Sequence, residues 1–129
     1  PIKKVIGVAH AGWRGSLLKI AGKTVLKMKE VYGTRPSDCL SALGPCIGKC
    51  CYEVSDEIIE QFKNTFGYES KSDGNKLDLL QKIKMQLIDI GVKDISSMEL
   101  CTACNLVLFY SHRAENGHTG RMISLLKLC

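Results

Sequence analysis

The sequence contains no apolar run of the eighteen or so residues that a membrane-spanning helix needs. Its first ten residues, from Pro1 to His10, hold no apolar stretch long enough for a signal-peptide core. A helical membrane span within the chain is thereby excluded. Tryptophan occurs once, proline three times, and tyrosine and phenylalanine together seven times. No low-complexity stretch, internal repeat or Pro-rich linker divides the 129 residues, so a single domain over 1–129 is expected. With so few aromatics among its basic residues, the chain also lacks the interleaving expected of a nucleic-acid groove.

What is present is ordinary for a globular protein. Hydrophobic residues make up 45% and charged residues 24%, which excludes both intrinsic disorder and a fibrous chain. A domain of this size buries about two-thirds of the surface its unfolded chain exposes. The net charge is +5, from 18 basic and 13 acidic residues. The lysines are spread thinly, with Lys19, Lys23, Lys27 and Lys29 on one expected helix and Lys82 and Lys84 on another. That pattern reads as solvated helix faces, so neither nucleic acid nor membrane is expected as a partner. Small anions remain open, because one phosphate needs only two or three well-placed donors. Seven cysteines without an export signal point to reduced thiols in a cytoplasmic setting, and the odd count leaves at least one unpaired.

Along the chain, Val5 to Ala9 is a short apolar run that predicts a buried strand, entered partway through at Pro1 and ending in the Gly-punctuated turn His10–Gly15. Leu17, Leu18, Ala21, Val25 and Met28 then recur at helical spacing, with Ser16 as the expected cap and Gly33 as the stop. Cys39 to Gly44 predicts a second strand. Ser55 is placed to cap a helix from Asp56 to about Phe66, Gly67 to Asn75 reads as a polar loop, and Leu77 to Ile90 predicts a helix closed by Gly91. Val107 to Arg113 and Arg121 to Leu128 read as two further strands. The fold class is α/β, a mixed sheet covered by helices.

Several residues carry potential chemistry. His10, at an expected strand end with Arg14 close by in sequence, suits a metal ligand or a general acid/base, against the ordinary role of a hydrogen-bonded structural histidine. Trp13 is either a core anchor or a stacking surface for a planar base. Cys46, Cys50, Cys51, Cys101 and Cys104 raise a four-thiolate structural zinc site, with burial as small apolar side chains as the alternative. Arg113 and Arg121 place two guanidinium groups around one connection, in the form suited to bidentate anion recognition, although surface arginines are common. Strand alternation would send His112 to the face opposite Ser111 and Arg113.

Taken together and in this order, His10-Ala-Gly-Trp-Arg-Gly15, Leu43-Gly-Pro-Cys-Ile-Gly48 running into Cys50-Cys-Tyr-Glu-Val54, Cys101-Thr, Phe109-Tyr-Ser-His-Arg113 and Thr119-Gly-Arg-Met122 closely resemble the laccase-domain family. That family was named for polyphenol oxidation and is understood as purine nucleoside phosphorylases. The resemblance implies an α/β enzyme that cleaves adenosine, inosine, guanosine or methylthioadenosine with phosphate to free base and ribose 1-phosphate, some members also deaminating adenosine. It implies zinc held by two histidines and one cysteine, of which the motif histidine is His10. The other two ligands belong upstream, so the chain corresponds to the carboxy-terminal half of the family domain, incomplete relative to the whole, and an upstream half becomes an expected partner. None of this chain's own cysteines is given to that zinc. By motif position and charge, Arg14, Cys51 and Arg113 are the candidate catalytic residues, and Trp13, Tyr52, Ser111 and Arg121 the candidate substrate contacts. Copper polyphenol oxidation and a non-catalytic fragment are the competing readings. The chain's three histidines are too few for a multi-histidine copper cluster.

Overall fold

The computed structural model describes residues 2–67 and 74–128, so the polar loop expected from Gly67 to Asn75 falls largely outside the described residues. Among the described residues, four α-helices, α1 (Trp13–Leu17), α2 (Ile20–Tyr32), α3 (Asp56–Phe66) and α4 (Leu79–Asp89), accompany two strands, β1 (Leu40–Leu43) and β2 (Asp94–Ser97). The class is mixed α/β, as expected. The strands pair in parallel with Leu40 opposite Asp94 and Leu43 opposite Ser97.

The first helical region differs from its sequence pattern. The apolar period runs unbroken from Leu17 to Met28, yet the helix breaks at Lys19, which takes a left-handed conformation with φ of 57°. Ser16 does not cap; it lies inside α1, fully buried, with its Oγ donating to the Ala11 carbonyl at 3.3 Å. Gly12 holds the capping position instead. Gly15 permits this tight entry, because a Cβ there would meet the His10 carbonyl and the Ile20 Cγ2 at 3.2 Å each. Gly33, at φ of 65°, ends α2 as expected, its N–H returning to the Lys29 carbonyl at 2.9 Å.

The core collects one face of each long helix: Val25 from α2, Ile59 and Phe62 from α3, and Leu79, Ile83 and Leu87 from α4, with Tyr52, Val54, Leu77 and Val92 from the connections. Phe62 has no exposed surface and stacks on Phe66 with ring centroids 5.7 Å apart. Where α1 meets α4, buried Gln86 donates through Nε2 to the Ser16 carbonyl at 2.8 Å, satisfying a helix-end acceptor that water does not reach. Ser55 precedes α3 without a side-chain capping bond, while Asp78 caps α4 by accepting from the Gln81 N–H at 2.9 Å. The helix therefore starts two residues later than the Leu77 its periodicity suggested. Leu77 is committed elsewhere, its N–H donating to the Tyr52 carbonyl at 2.9 Å.

Three expected strands are not formed. Val5 to Ala9 has no regular structure, because a strand needs an edge to pair with and, among the described residues, no other segment pairs with this run, whose Val5 N–H donates only locally to the Lys3 carbonyl at 2.8 Å. Val107 to Arg113 folds as turns, and Arg121 to Leu128 has no regular structure. Their apolar side chains find no sheet face: Val107 is 99% exposed and Leu125 91%. Asn105 supplies the competing turn, its carbonyl accepting from the Leu108 and Phe109 N–H groups at 3.0 Å. With no strand there is no alternation, and His112 and Arg113 are both exposed while Ser111 is buried.

The ladder between β1 and β2 has one consequence for the site. It continues past the strands, with the Met98 N–H donating to the Leu43 carbonyl and the Thr102 N–H to the Cys46 carbonyl, both at 3.0 Å, and with Cys46 bridged in parallel to Cys101. Two parallel strands thus deliver the segment after Cys46 and the segment after Cys101 side by side at the same sheet end.

Candidate functional site

At the amino-terminal motif, His10 is exposed and its ring turns back toward Gly12, whose missing Cβ would lie 3.2 Å from Nε2. Trp13 is half-buried against the core, and the Arg14 guanidinium carbon lies 4.6 Å from the centroid of its indole ring. The tryptophan is therefore a core anchor that also steadies an exposed cation. His10 belongs to none of the groups of three or more metal-donor side chains found among the described residues. One imidazole does not close a metal site, so the residues present here do not by themselves fit the zinc that the motif implies.

The second cluster is the turn from Ser111 to Arg121. Glu115 organises it: its carboxylate accepts from the Ser111 N–H at 2.8 Å and from the Thr119 hydroxyl. The Thr119 hydroxyl and the Ser111 N–H hold the Glu115 carboxyl below its ordinary pKa. Ser111 is only 3% exposed, and its Oγ accepts from the Ala114 N–H at 3.4 Å. Arg121 donates through Nη1 to the Thr119 and Gly120 carbonyls at 3.0 and 2.9 Å. Arg113 donates to the Glu53 carbonyl and places its guanidinium carbon 5.4 Å from the Tyr52 ring centroid. Tyr52 itself is 8% exposed and belongs to the core. Burial pushes its hydroxyl pKa up, against a smaller lowering by Arg113.

The third cluster is made of sulfur. The Sγ atoms of Cys50, Cys51, Cys101 and Cys104 all lie within 4.8 Å of one another, an arrangement that can hold a metal ion. Cys104 is 3.3 Å from Cys51 and 3.7 Å from Cys50, and the Gly48 N–H donates to the Cys101 sulfur at 3.2 Å. Burial pushes the Cys101 thiol up, but hydrogen bonds from the Gly48 and Cys104 backbone and from the Cys50 and Cys104 thiols outweigh it, leaving its pKa at about 6. Cys104 is pushed up to about 12 by its hydrogen bonds with Cys51, Cys50 and Cys101. Cys46 stays outside the group, and burial raises its thiol pKa.

The structure therefore joins Trp13 to Arg14, Tyr52 to Arg113, and Ser111 to Arg121 by way of Glu115 and Thr119. It places Cys51 among thiols. Among the described residues no hydrogen bond links His10 or Arg14 to the Ser111–Arg121 turn. Sequence reasoning overlooked Glu115 and Gly48. The four-residue spacing of Glu115 from both Ser111 and Thr119 was the available signal for the first; Gly48 shows its purpose only once Cys101 is beside it.

All of residues 1–129 match the model of a family described as multi-copper polyphenol oxidoreductase laccase. The chain belongs to this family. It is 39% identical to the purine nucleoside phosphorylase YlmD of Geobacillus stearothermophilus, over 98% of this chain and 49% of that protein. It is 31% identical to the human purine nucleoside phosphorylase LACC1, over 99% of this chain and 32% of that protein. Among solved structures it resembles the hypothetical protein YfiH of Bacillus licheniformis, with a TM-score of 0.82 and 34% identity over 93% of this chain and 48% of the other. The Geobacillus stearothermophilus YlmD structure gives a TM-score of 0.79 at 40% identity, over 87% and 45%. The chain spans about half the length of the bacterial curated relatives it matches. Among the described residues no helix is long and apolar enough to cross a membrane.

Proposed function

We propose that this chain supplies the anion- and nucleoside-facing half of a purine nucleoside phosphorylase. The observation that carries the reading is the match, across nearly the whole chain, to relatives named as such enzymes. The geometry supports it through three exposed guanidinium groups, on Arg14, Arg113 and Arg121, two of them held over aromatic rings.

In such a reaction phosphate attacks the anomeric carbon as the purine departs, so a site must hold an anion and tolerate positive charge on the ribose. Arg14 and Arg113 bind and orient the phosphate, with Arg121 as a further contact. The ring contact of Arg14 leaves its planar donor edges to the anion, whereas Arg113 commits Nη1 to the Glu53 carbonyl and offers its remaining N–H groups. Trp13 and Tyr52 act from the core, as the surfaces on which Arg14 and Arg113 rest. Ser111 acts through the turn it shares with Glu115. Zinc would supply electrophilic chemistry when bound, with His10 as this chain's ligand beside two supplied by an upstream half. The substrates are adenosine, inosine, guanosine or methylthioadenosine, with adenosine deamination as a second activity, in the cytoplasm.

The test is hypoxanthine release from inosine, measured for the chain alone and mixed with the portion of a full-length relative that the chain does not cover. Phosphate-dependent release in the mixture supports the reading. Phosphate-independent release makes the activity hydrolytic, and absence of release in both arms overturns the proposal. Oxidation of a phenol in the same mixture favours the polyphenol oxidoreductase that the family description names.

A further inference from the structure

We propose that Cys50, Cys51, Cys101 and Cys104 bind one zinc ion in a closed, structural four-thiolate site, separate from the metal position at His10. The four Sγ atoms lie within 4.8 Å of one another, with separations of 3.3 and 3.7 Å from Cys104 to Cys51 and Cys50. A tetrahedral zinc with Zn–S bonds of about 2.3 Å requires sulfur–sulfur edges of about 3.8 Å. The cluster needs only small side-chain adjustments to meet that value.

The backbone is built for these ligands. Parallel pairing of Cys46 with Cys101 sets the two segments side by side, and Cys101 and Cys104 have the two-residue separation of a zinc knuckle. Gly48 closes over the sulfurs: a Cβ there would lie 3.1 Å from the Cys101 Cβ and 3.3 Å from the Cys50 sulfur. The Gly48 N–H points at the Cys101 sulfur at 3.2 Å, the amide contact that spreads the charge of a metal-bound thiolate and fixes its direction. The Asn105 side-chain amide holds the Cys101 carbonyl at 2.8 Å and so braces the knuckle.

The donor set selects the metal. Four sulfurs in a compact tetrahedron suit zinc, whereas magnesium, calcium and manganese take oxygen ligands. A multi-iron cluster with its bridging sulfides holds its cysteine sulfurs farther apart than this group does. On coordination each protonated thiol gives its proton to solvent, and no sulfur is oxidised. With all four positions filled by protein, no open position remains for substrate, so the ion ties two segments together. Cys51 is then a ligand, in place of the catalytic role its motif position suggested.

The experiment uses the 129-residue chain, purified under a reducing agent and dialysed against metal-free buffer. Elemental analysis is expected to find one zinc per chain, and cobalt(II) in its place is expected to give the thiolate charge-transfer bands of a tetrahedral four-sulfur site. Cys101→Ser and Cys104→Ser should each lower retained zinc at least tenfold, while His10→Ala keeps one zinc per chain. The cobalt spectrum of the unmodified chain decides the matter if the serine variants do not fold. A metal-free chain, bound iron, a Cys51–Cys104 disulfide in the reduced preparation, or zinc lost in His10→Ala and kept in Cys101→Ser would each overturn the proposal.

Discussion

The guanidinium of Arg113 lies over the ring of Tyr52, 5.4 Å from its centroid, and is tied to the carbonyl of the next residue, Glu53. A buried aromatic thereby aims an exposed cation from a distant part of the chain. Lysine keeps the charge but lacks the planar fork. On the proposed phosphorylase reading, Arg113→Lys is therefore expected to raise the phosphate KM at least tenfold in the mixture of this chain with the uncovered portion of a relative. Phosphate saturation curves check this, and an unchanged KM would remove Arg113 from the anion site.

Arg14 is steadied in the same manner by Trp13. Arg14→Ala should raise the phosphate KM while leaving the nucleoside KM within a few-fold of its original value. Initial rates with phosphate and inosine varied separately make the distinction. A parallel rise in both would mean that the substitution disturbs α1 rather than an anion contact.

Phe62 is completely buried at the junction of α3 with the rest of the core. Phe62→Ala removes a large apolar side chain and leaves a cavity, at a cost of about 3–5 kcal/mol. Chemical denaturation should show a lower midpoint without loss of cooperativity. A change below about 1 kcal/mol would contradict the packing described.

The Glu115 carboxyl is held below its ordinary pKa by the Thr119 hydroxyl and the Ser111 N–H. A folded-state pKa below the unfolded one gives stabilisation that is present above the unfolded value and is lost as pH falls through the folded value. The turn from Ser111 to Thr119 should therefore open below the ordinary carboxylate range. Hydrogen exchange at the Ser111 amide is expected to accelerate there, and Glu115→Gln should abolish that pH dependence. An unchanged pH response in the variant would assign the effect to another group.

A methyl group at Gly48 would lie 3.1 Å from the Cys101 Cβ and 3.3 Å from the Cys50 sulfur, so these neighbours must give by a few tenths of an ångström to admit it. Gly48→Ala should destabilise the chain by about 1–3 kcal/mol through overpacking. Thermal unfolding of the two proteins side by side measures it, and an unchanged Tm would show that the segment shifts freely.

The long helices were legible because their apolar residues repeat at the right period and their ends carry Gly33, Gly67 and Gly91 in left-handed conformations. The strands were legible only where a partner exists. Leu40 to Leu43 became β1 because Asp94 to Ser97 lies beside it, whereas Val5 to Ala9 and Val107 to Arg113 show the same local pattern and, among the described residues, have no pairing strand. A strand is a property of two segments, and one segment cannot announce its partner. The site follows the same rule. Motif residues marked Arg14 and Arg113, but the aromatic supports beneath them and the gathering of four sulfurs depend on contacts between remote parts of the chain. Likewise Tyr52 and Ser111, read as substrate contacts, lie buried because their motifs also carry core packing and a turn.

The parallel register of Leu40 with Asp94 also bears on how quickly the chain can fold. Its two strands are joined through α3 and α4, so the ladder returns no hydrogen bond until more than fifty residues have been brought around. Helices form from local contacts, while such a closure must absorb its loss of chain entropy first. Strand pairing is therefore expected as the late, slow phase of refolding, with helical signal appearing before the Cys46 and Cys101 segments are brought together.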